Sequence, residues 1–445
     1  MKHPALCACV LAVSLLAGCG PAAPEPTALS TPAPPPVETP APTPTPAPAP
    51  TPTPTPDPIY RADAEQLVAL VEEVHPCFPL EDVPEGYEAA KARFLAAASA
   101  DAGPEDFRWQ AMEYLTVLED GHTRIRSLSD TPCLDLPWAA DGERLYLLDG
   151  DGALTGQEVT EICGLSVAEV FAGIDRCLPA ENQAGRDRNH SRYAGVRDLL
   201  LHLGGELRGD GGTVAVDGVE QLVPFSPRNP QTPPPFDTVI SCERMGDVFY
   251  IDFNECRPGD ALDAVTAQLE QAVAEGVCKV IIDVRDNGGG DSSTCEALLE
   301  AMGMRPPGYG GCVRFSPLAD AQRGYGRDSG YVQADPNPGA ARANPAIALA
   351  VLTNENTFSS ATMLAVFVRD GGLGAIIGRP SANAPNSYGD TLSFELEHTG
   401  LSGSISHKRW LRPDQGAERD AVTPDLTTAV GGDALRRALA WLQEN

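Results

Sequence analysis

Lysine is nearly absent from this sequence. Only Lys2, Lys91, Lys279 and Lys408 occur among 32 basic residues, against 62 acidic ones, and the formal net charge is −30. A field of that sign excludes a nucleic-acid surface and a basic patch for anionic lipid, because both need clustered positive charge. Tryptophan numbers four, so no run of exposed aromatics supports a glycan-binding face. No Cys-x-x-Cys occurs and the histidines do not cluster beside cysteines, so the spacing yields no metal site and calls for no cofactor. What is present suffices for a sizeable core: 42% of the 445 residues are hydrophobic, enough for one large or two to three ordinary domains.

The first sixty residues have two parts. Residues 1–19 start basic, continue through a short apolar run and end in small residues. That pattern predicts a secretory signal and is too short for a spanning helix. Its end, Leu16-Ala17-Gly18-Cys19, resembles the lipobox of bacterial lipoproteins. The resemblance implies cleavage before Cys19, a lipid on its thiol, and a location on the outer side of a membrane. Residues 20–58 hold 17 prolines and cannot form a core. Stiff polyproline-II at ~3.1 Å per residue would reach roughly 120 Å, a spacer between membrane and folded body. Export suits the twelve cysteines, nine of them beyond Cys19. An oxidising compartment permits disulfides, and the spacings Cys163–Cys177 and Cys242–Cys256 suit local clips.

The body divides by pattern. Residues 59–135 read as a helical subdomain, with Leu67, Leu70, Val71 and Val74 on one face and Phe107, Ala111, Tyr114, Leu115 and Leu118 on another. Residues 136–240 read as a β-rich insert, with helical stretches near 166–177 and 193–203 and a rigid proline loop from Pro224 to Pro235. Residues 241–445 alternate strand, glycine turn and helix, which predicts an α/β layered core. Lys279-Val-Ile-Ile-Asp-Val-Arg285 has the near-continuous apolar character of a buried central strand.

Three polar constellations stand out. Asn356-Thr-Phe-Ser-Ser-Ala361 lies between a buried strand and an apolar helix. A serine there either caps the helix or presents its oxygen to a carbonyl whose developing charge the helix amides stabilise. Asp283-Val-Arg-Asp-Asn-Gly-Gly-Gly-Asp291 follows the central strand and leaves backbone amides uncovered. Such amides suit a phosphate or an oxyanion, although no lysine follows as in nucleotide loops. The third, Asp120-Gly-His-Thr123, carries a histidine whose role its spacing does not decide.

Taken together, Leu118–Thr123, Val280–Gly290, Val351–Ala361, Ile377-Gly-Arg-Pro380 and Glu418–Asp425 resemble, in order, the C-terminal-processing (tail-specific) serine peptidases and their relatives around the tricorn core protease. The resemblance implies a ClpP/crotonase-like layered core and an acyl-enzyme mechanism. Ser359 is implied as nucleophile, with Gly289 and Ser360 giving the oxyanion amides. In the lysine-dependent branch the base lies 25 residues after the nucleophile, where this chain has Ala384. The tricorn-like Ser-His-Glu branch is therefore the closer one, with His122 as base and Glu418 as its orienting acid. The family often carries a peptide-binding PDZ domain; no Gly-Leu-Gly-Phe type of loop occurs between residues 136 and 240, so the insert reads as a divergent or shortened version. The expectation is a surface-tethered serine endopeptidase that acts on peptide bonds of exported or surface proteins. A catalytically inactive peptide- or ligand-binding lipoprotein of the same fold is the alternative.

Overall fold

The structure, a computed structural model, describes residues 58–99, 103–126, 128 and 131–444. The expected leader with Cys19 and the proline spacer up to residue 57 lie outside the described residues. Pro58, assigned to the spacer by composition, instead opens the helix Pro58–Val74. Proline suits a first helical turn, where its missing N–H has no partner to lose. Among the described residues no helix is long and apolar enough to cross a membrane.

A six-stranded sheet organises the last two hundred residues. Its spatial order follows the chain: Ile240–Met245, Val248–Phe253, Lys279–Asp283, Ala348–Thr353, Ala375–Gly378 and Leu426–Thr427. The first pair is antiparallel and the rest are parallel. Val280, Ile282, Leu349 and Val351 are buried in one cluster with the helices Asp260–Ala274, Ser293–Ala301 and Ser360–Asp370. Ile281, Ala350 and Leu352 are buried in another with Ala438 and Leu442 of the helix Ala434–Glu444. Strands covered on both faces are apolar through their interior, which accounts for the run Val280-Ile-Ile282. Because Lys279–Asp283 and Ala348–Thr353 are adjacent and parallel, the loops leaving their carboxyl ends lie together.

A second sheet supplies the other half of the site. Its strand Ser402–Leu411 pairs with Arg124–Ile125, Gly310–Arg314 and Ser387–Glu395. Pairing of Arg124 with Ser404 pins the turn at residues 120–123 against this sheet. Residues 133–226 build a third, eight-stranded sheet, and Pro224 lies inside its strand Val219–Ser226 rather than in a loop. Leu67 and Leu115 of the N-terminal helices, Leu134 and Val214 of this sheet, and Leu392 and Ile405 of the second share one apolar cluster. Packing therefore crosses the boundary expected at residues 135 and 136.

One helix departs from the sequence pattern. The stretch expected over 193–203 holds the helix Arg197–His202, and a helix that the pattern did not give, Gln183–Tyr193, precedes it. Gln183–Tyr193 has no apolar stripe for periodicity to detect. Its start is fixed instead by Asn182, whose Oδ1 accepts from the Gly185 amide at 2.8 Å, a side-chain N-cap.

Candidate active site

Two loops form the floor of the site and are stitched by asparagine. Asn354 Oδ1 accepts from the amides of Asp286, Asn356 and Thr357 at 3.0–3.2 Å. The Nδ2 groups of Asn354 and Asn356 donate to Asp286 Oδ1 at 2.9 and 2.8 Å. The Phe358 amide donates to Asn287 O at 2.9 Å. So held, the chain enters Ser359 at φ 54° and ψ −126° before the helix Ser360–Asp370 begins. A non-glycine residue rarely adopts that region, and holding it there costs on the order of 1–3 kcal/mol.

The two serines have different jobs. Ser360 is buried and its Oγ donates to Gly290 O at 2.7 Å. Ser359 makes no side-chain cap, so the capping explanation fails, and its amide donates to Asn383 Oδ1 at 3.0 Å. Its hydroxyl has no hydrogen-bond partner among the described residues, and neither does the Ser360 amide at the helix N-terminus.

His122 stands beside this loop, its ring 4.6 Å from that of Phe358. The turn that carries it is built on Asp120. Asp120 Oδ1 accepts from the His122 amide at 2.9 Å, and Oδ2 accepts from Thr123 Oγ1 at 2.5 Å and faces His75 Nε2 at 3.3 Å. Burial opposes the charge on Asp120, but attraction from the nearby His122 and His75 rings outweighs it and holds the carboxyl well below its usual range. Both ring nitrogens of His122 are buried without a hydrogen-bond partner. Its Nδ1 lies 3.7 Å from Asp120 Oδ1 and 3.9 Å from Glu181 Oε1.

Residues 245–428 match Peptidase family S41. That stretch is similar to the S41 peptidases. Among solved structures, mature CPAF is similar over 87% of this chain and 96% of its own, at 16% identity and a TM-score of 0.60. Mature CPAF complexed with lactacystin gives 87% and 98%, 15% identity and a TM-score of 0.59. At that identity the likeness shows the fold. No curated protein matches the sequence. Ser359, Ser360, the glycine loop and Glu418 lie within the S41 match, whereas His122 and Glu181 lie N-terminal to it.

The structure does not bring Glu418 to His122. Glu418 is exposed, and its Oε2 accepts from Thr423 Oγ1 at 2.7 Å. Buried Arg412, paired with Asp370, donates to the Glu418 backbone carbonyl and so anchors the backbone of that segment. Asp414 and Asp420 are exposed as well. Besides Asp120 of its own turn, the acid beside His122 is Glu181, which sequence patterns missed because Pro179-Ala-Glu-Asn182 forms no recognisable motif. Its Oε1 accepts from the Gly121 amide at 3.1 Å, and its Oε2 from Asn383 Nδ2 at 2.6 Å and the Ala384 amide at 2.8 Å. Burial pushes its carboxyl up to about 7, with the charge of Asp120 adding to the rise and His122 and the two amides opposing it. Glu181 thus ties the histidine turn, through Asn383, to the Ser359 backbone. The Ala384 amide supplies one of its bonds.

The glycine turn within residues 245–428 is also more specialised than expected. Gly289 has φ 97°, and a side chain there would meet Ser359 Cβ at 2.7 Å and the Ser360 nitrogen at 2.9 Å. Only glycine allows that approach. The Gly289 amide, however, donates to Asn287 Oδ1 at 2.8 Å. The neighbouring Gly288 is exposed and its amide has no acceptor among the described residues.

Two sets of described residues gather three possible metal ligands with donor atoms within 4.8 Å: Asp120, His122 and Glu181, and Glu113, Cys177 and His202. In the first, protein donors already occupy both carboxylates. All nine described cysteines are free thiols, so neither suggested clip forms. Cys256 and Cys295 lie behind the glycine turn with their sulfurs 3.8 Å apart.

Proposed function

We propose that this protein is a serine peptidase in which Ser359 attacks a peptide carbonyl, His122 takes the serine proton and Glu181 holds the imidazole. The observation that carries this reading is the contrast at residues 359 and 360. The strained residue keeps a free hydroxyl, while its neighbour commits its hydroxyl and keeps a free amide. A serine hydroxyl is a poor nucleophile at neutral pH and needs an adjacent base. With Nδ1 facing the carboxylates, Nε2 of His122 is the nitrogen left for that proton. Glu181 favours the Nδ1–H tautomer and the imidazolium formed during attack. The Ser360 amide at the helix N-terminus stabilises the tetrahedral oxyanion, with the Gly288 amide as second donor in place of Gly289. Collapse of that intermediate leaves an acyl-enzyme, and the proton held by His122 passes to the leaving amine.

A fluorophosphonate probe tests the nucleophile on the full chain. Labelling is expected on one tryptic peptide, residues 343–369, at Ser359. A protein that resists the probe under conditions that label other serine peptidases would favour the non-catalytic binding alternative. The complex of CPAF with lactacystin, a structure of the same fold, makes lactacystin a second probe.

The lipobox-like end of the leader supports a lipid anchor at Cys19, which would present the peptidase to exported or surface proteins. Metabolic labelling with palmitate is expected for the wild type and not for Cys19→Ala. Label that persists in the variant would refute the anchor.

A further inference from the structure

A cleft of about 660 Å³ opens beside Phe358, between the histidine turn and the helix Gln183–Tyr193. Its walls reverse the charge balance of the protein. Arg124, Arg126, Arg188 and Arg192 line it, and the single carboxylate among its described lining residues is Asp286. Asp286 already holds the amide groups of Asn354 and Asn356. A chain with 62 acidic and 32 basic residues has ample means to pair four arginines.

Arg188 and Arg192 are singular within this set. Each buries an Nε that has no hydrogen-bond partner, and neither has a carboxylate within ion-pair distance. Arg108 and Arg379 also bury an unbonded Nε, but both are ion-paired, Arg379 with Asp141, Asp187 and Glu355. Arg188 has one long bond, to Asn189 Oδ1 at 3.4 Å, and lies 4.9 Å over the Phe358 ring. Arg192 gives one Nη2 to Asn356 Oδ1 at 3.1 Å. Burial, then repulsion from Arg192 and Arg124, lowers the Arg188 guanidinium to about 10, still a cation at neutral pH. Gathering half-buried, mutually repelling, under-bonded cations is unfavourable unless an anion joins them. Phe358 fixes the place of that anion: Arg188 lies over a ring that also packs against His122, next in sequence to Ser359.

We propose that this cleft is a substrate subsite for a peptide carboxylate, bound by Arg188 and Arg192 with Arg124 and Arg126 at its rim. The inference rests on the peptidase reading of Ser359. A planar guanidinium accepts a carboxylate through two parallel hydrogen bonds, and two of them leave little for water to supply. An acidic side chain and a free C-terminus offer the same chemistry. Selectivity follows from the contrast between a body of net charge near −28, which repels anionic peptides, and the arginines of this cleft, which attract them.

The test uses the full chain and four matched fluorogenic peptides: neutral and amidated, neutral with a free C-terminus, acidic and amidated, and acidic with a free C-terminus. At least one anionic peptide should exceed the neutral amidated one by about tenfold or more in kcat/KM, and the amidated pair says whether the side chain or the terminus is read. Arg188→Gln and Arg192→Gln should each shrink that contrast to about twofold, whereas Arg188→Lys should keep part of it. Thermal melts identify any variant that fails to fold; if Arg188→Gln does, Arg192→Gln decides. Equal rates on all four peptides, or a contrast unchanged in Arg192→Gln, would overturn the subsite. If no peptide is cut, anisotropy of the same labelled peptides decides separately. Preferred binding of an anionic peptide upholds the subsite while the peptidase reading fails, and charge-blind binding overturns it.

Discussion

Ser359→Ala is expected to lower kcat/KM by ~10³-fold or more, with only the oxyanion amides and substrate binding left to act. Ser360→Ala should behave in the opposite way. Its hydroxyl bonds Gly290 O in a buried position, so that substitution loses about 1 kcal/mol of stability. The Ser360 amide survives, and the rate should stay within several-fold of wild type. A third variant separates strain from chemistry. Ser359 is held at φ 54°, where glycine is at ease, so Ser359→Gly should be inactive yet more stable by about 1 kcal/mol. Chemical denaturation beside steady-state kinetics measures all three. Activity that survives in Ser359→Ala and vanishes in Ser360→Ala would reverse the assignment.

The same contrast shows what the sequence could and could not disclose. Buried parallel strands announce themselves because both faces are apolar, so Lys279–Asp283 and Ala348–Thr353 were legible, and with them the two loops they deliver. His122 was legible only as part of a motif, since a histidine in a turn has no periodic signature. Glu181 was not legible. Its role comes from the folding together of residue 121, residues 383 and 384 and the segment before a mostly polar helix, contacts separated by 60 to 203 positions. Local pattern carries no trace of such a meeting. Glu418 is the converse case: a terminal motif in sequence, but an exposed side chain whose nearest business is with Thr423. Gly289 is intermediate. The need for glycine there was readable, but not that Asn287 would claim its amide. Arg188 and Arg192 escaped because they are carried on a helix without a hydrophobic stripe.

Glu181→Gln should lose ~10–10³-fold in kcat/KM at pH 8, and the loss should shrink as the pH falls. The carboxyl of Glu181 is pushed up to about 7 by burial. Above that pH the wild type sets a carboxylate beside His122 Nδ1 and the variant does not. Below it the wild-type side chain is itself protonated and neutral, so the ratio of the two rates should approach one by about pH 5. Stability should change in the opposite sense. Between the ordinary value of 4.5 and about 7 the folded wild type holds a proton that the unfolded chain has released, so its stability falls as pH rises through this window. Glutamine removes that slope, leaving the variant flatter across the same range. Asp120 acts in reverse: its carboxyl is held low, so its contribution is present above the ordinary carboxylate range and is lost only in acid. Glu418→Gln serves as the comparison and should stay within about twofold of wild type at every pH, as expected for an exposed side chain away from such features. A rate ratio for Glu181→Gln that holds constant from pH 5 to 8 would show that its effect is not electrostatic. A wild-type rate in Glu181→Gln at pH 8 would hand the orienting role to Asp120, the other carboxylate within 4 Å of the ring.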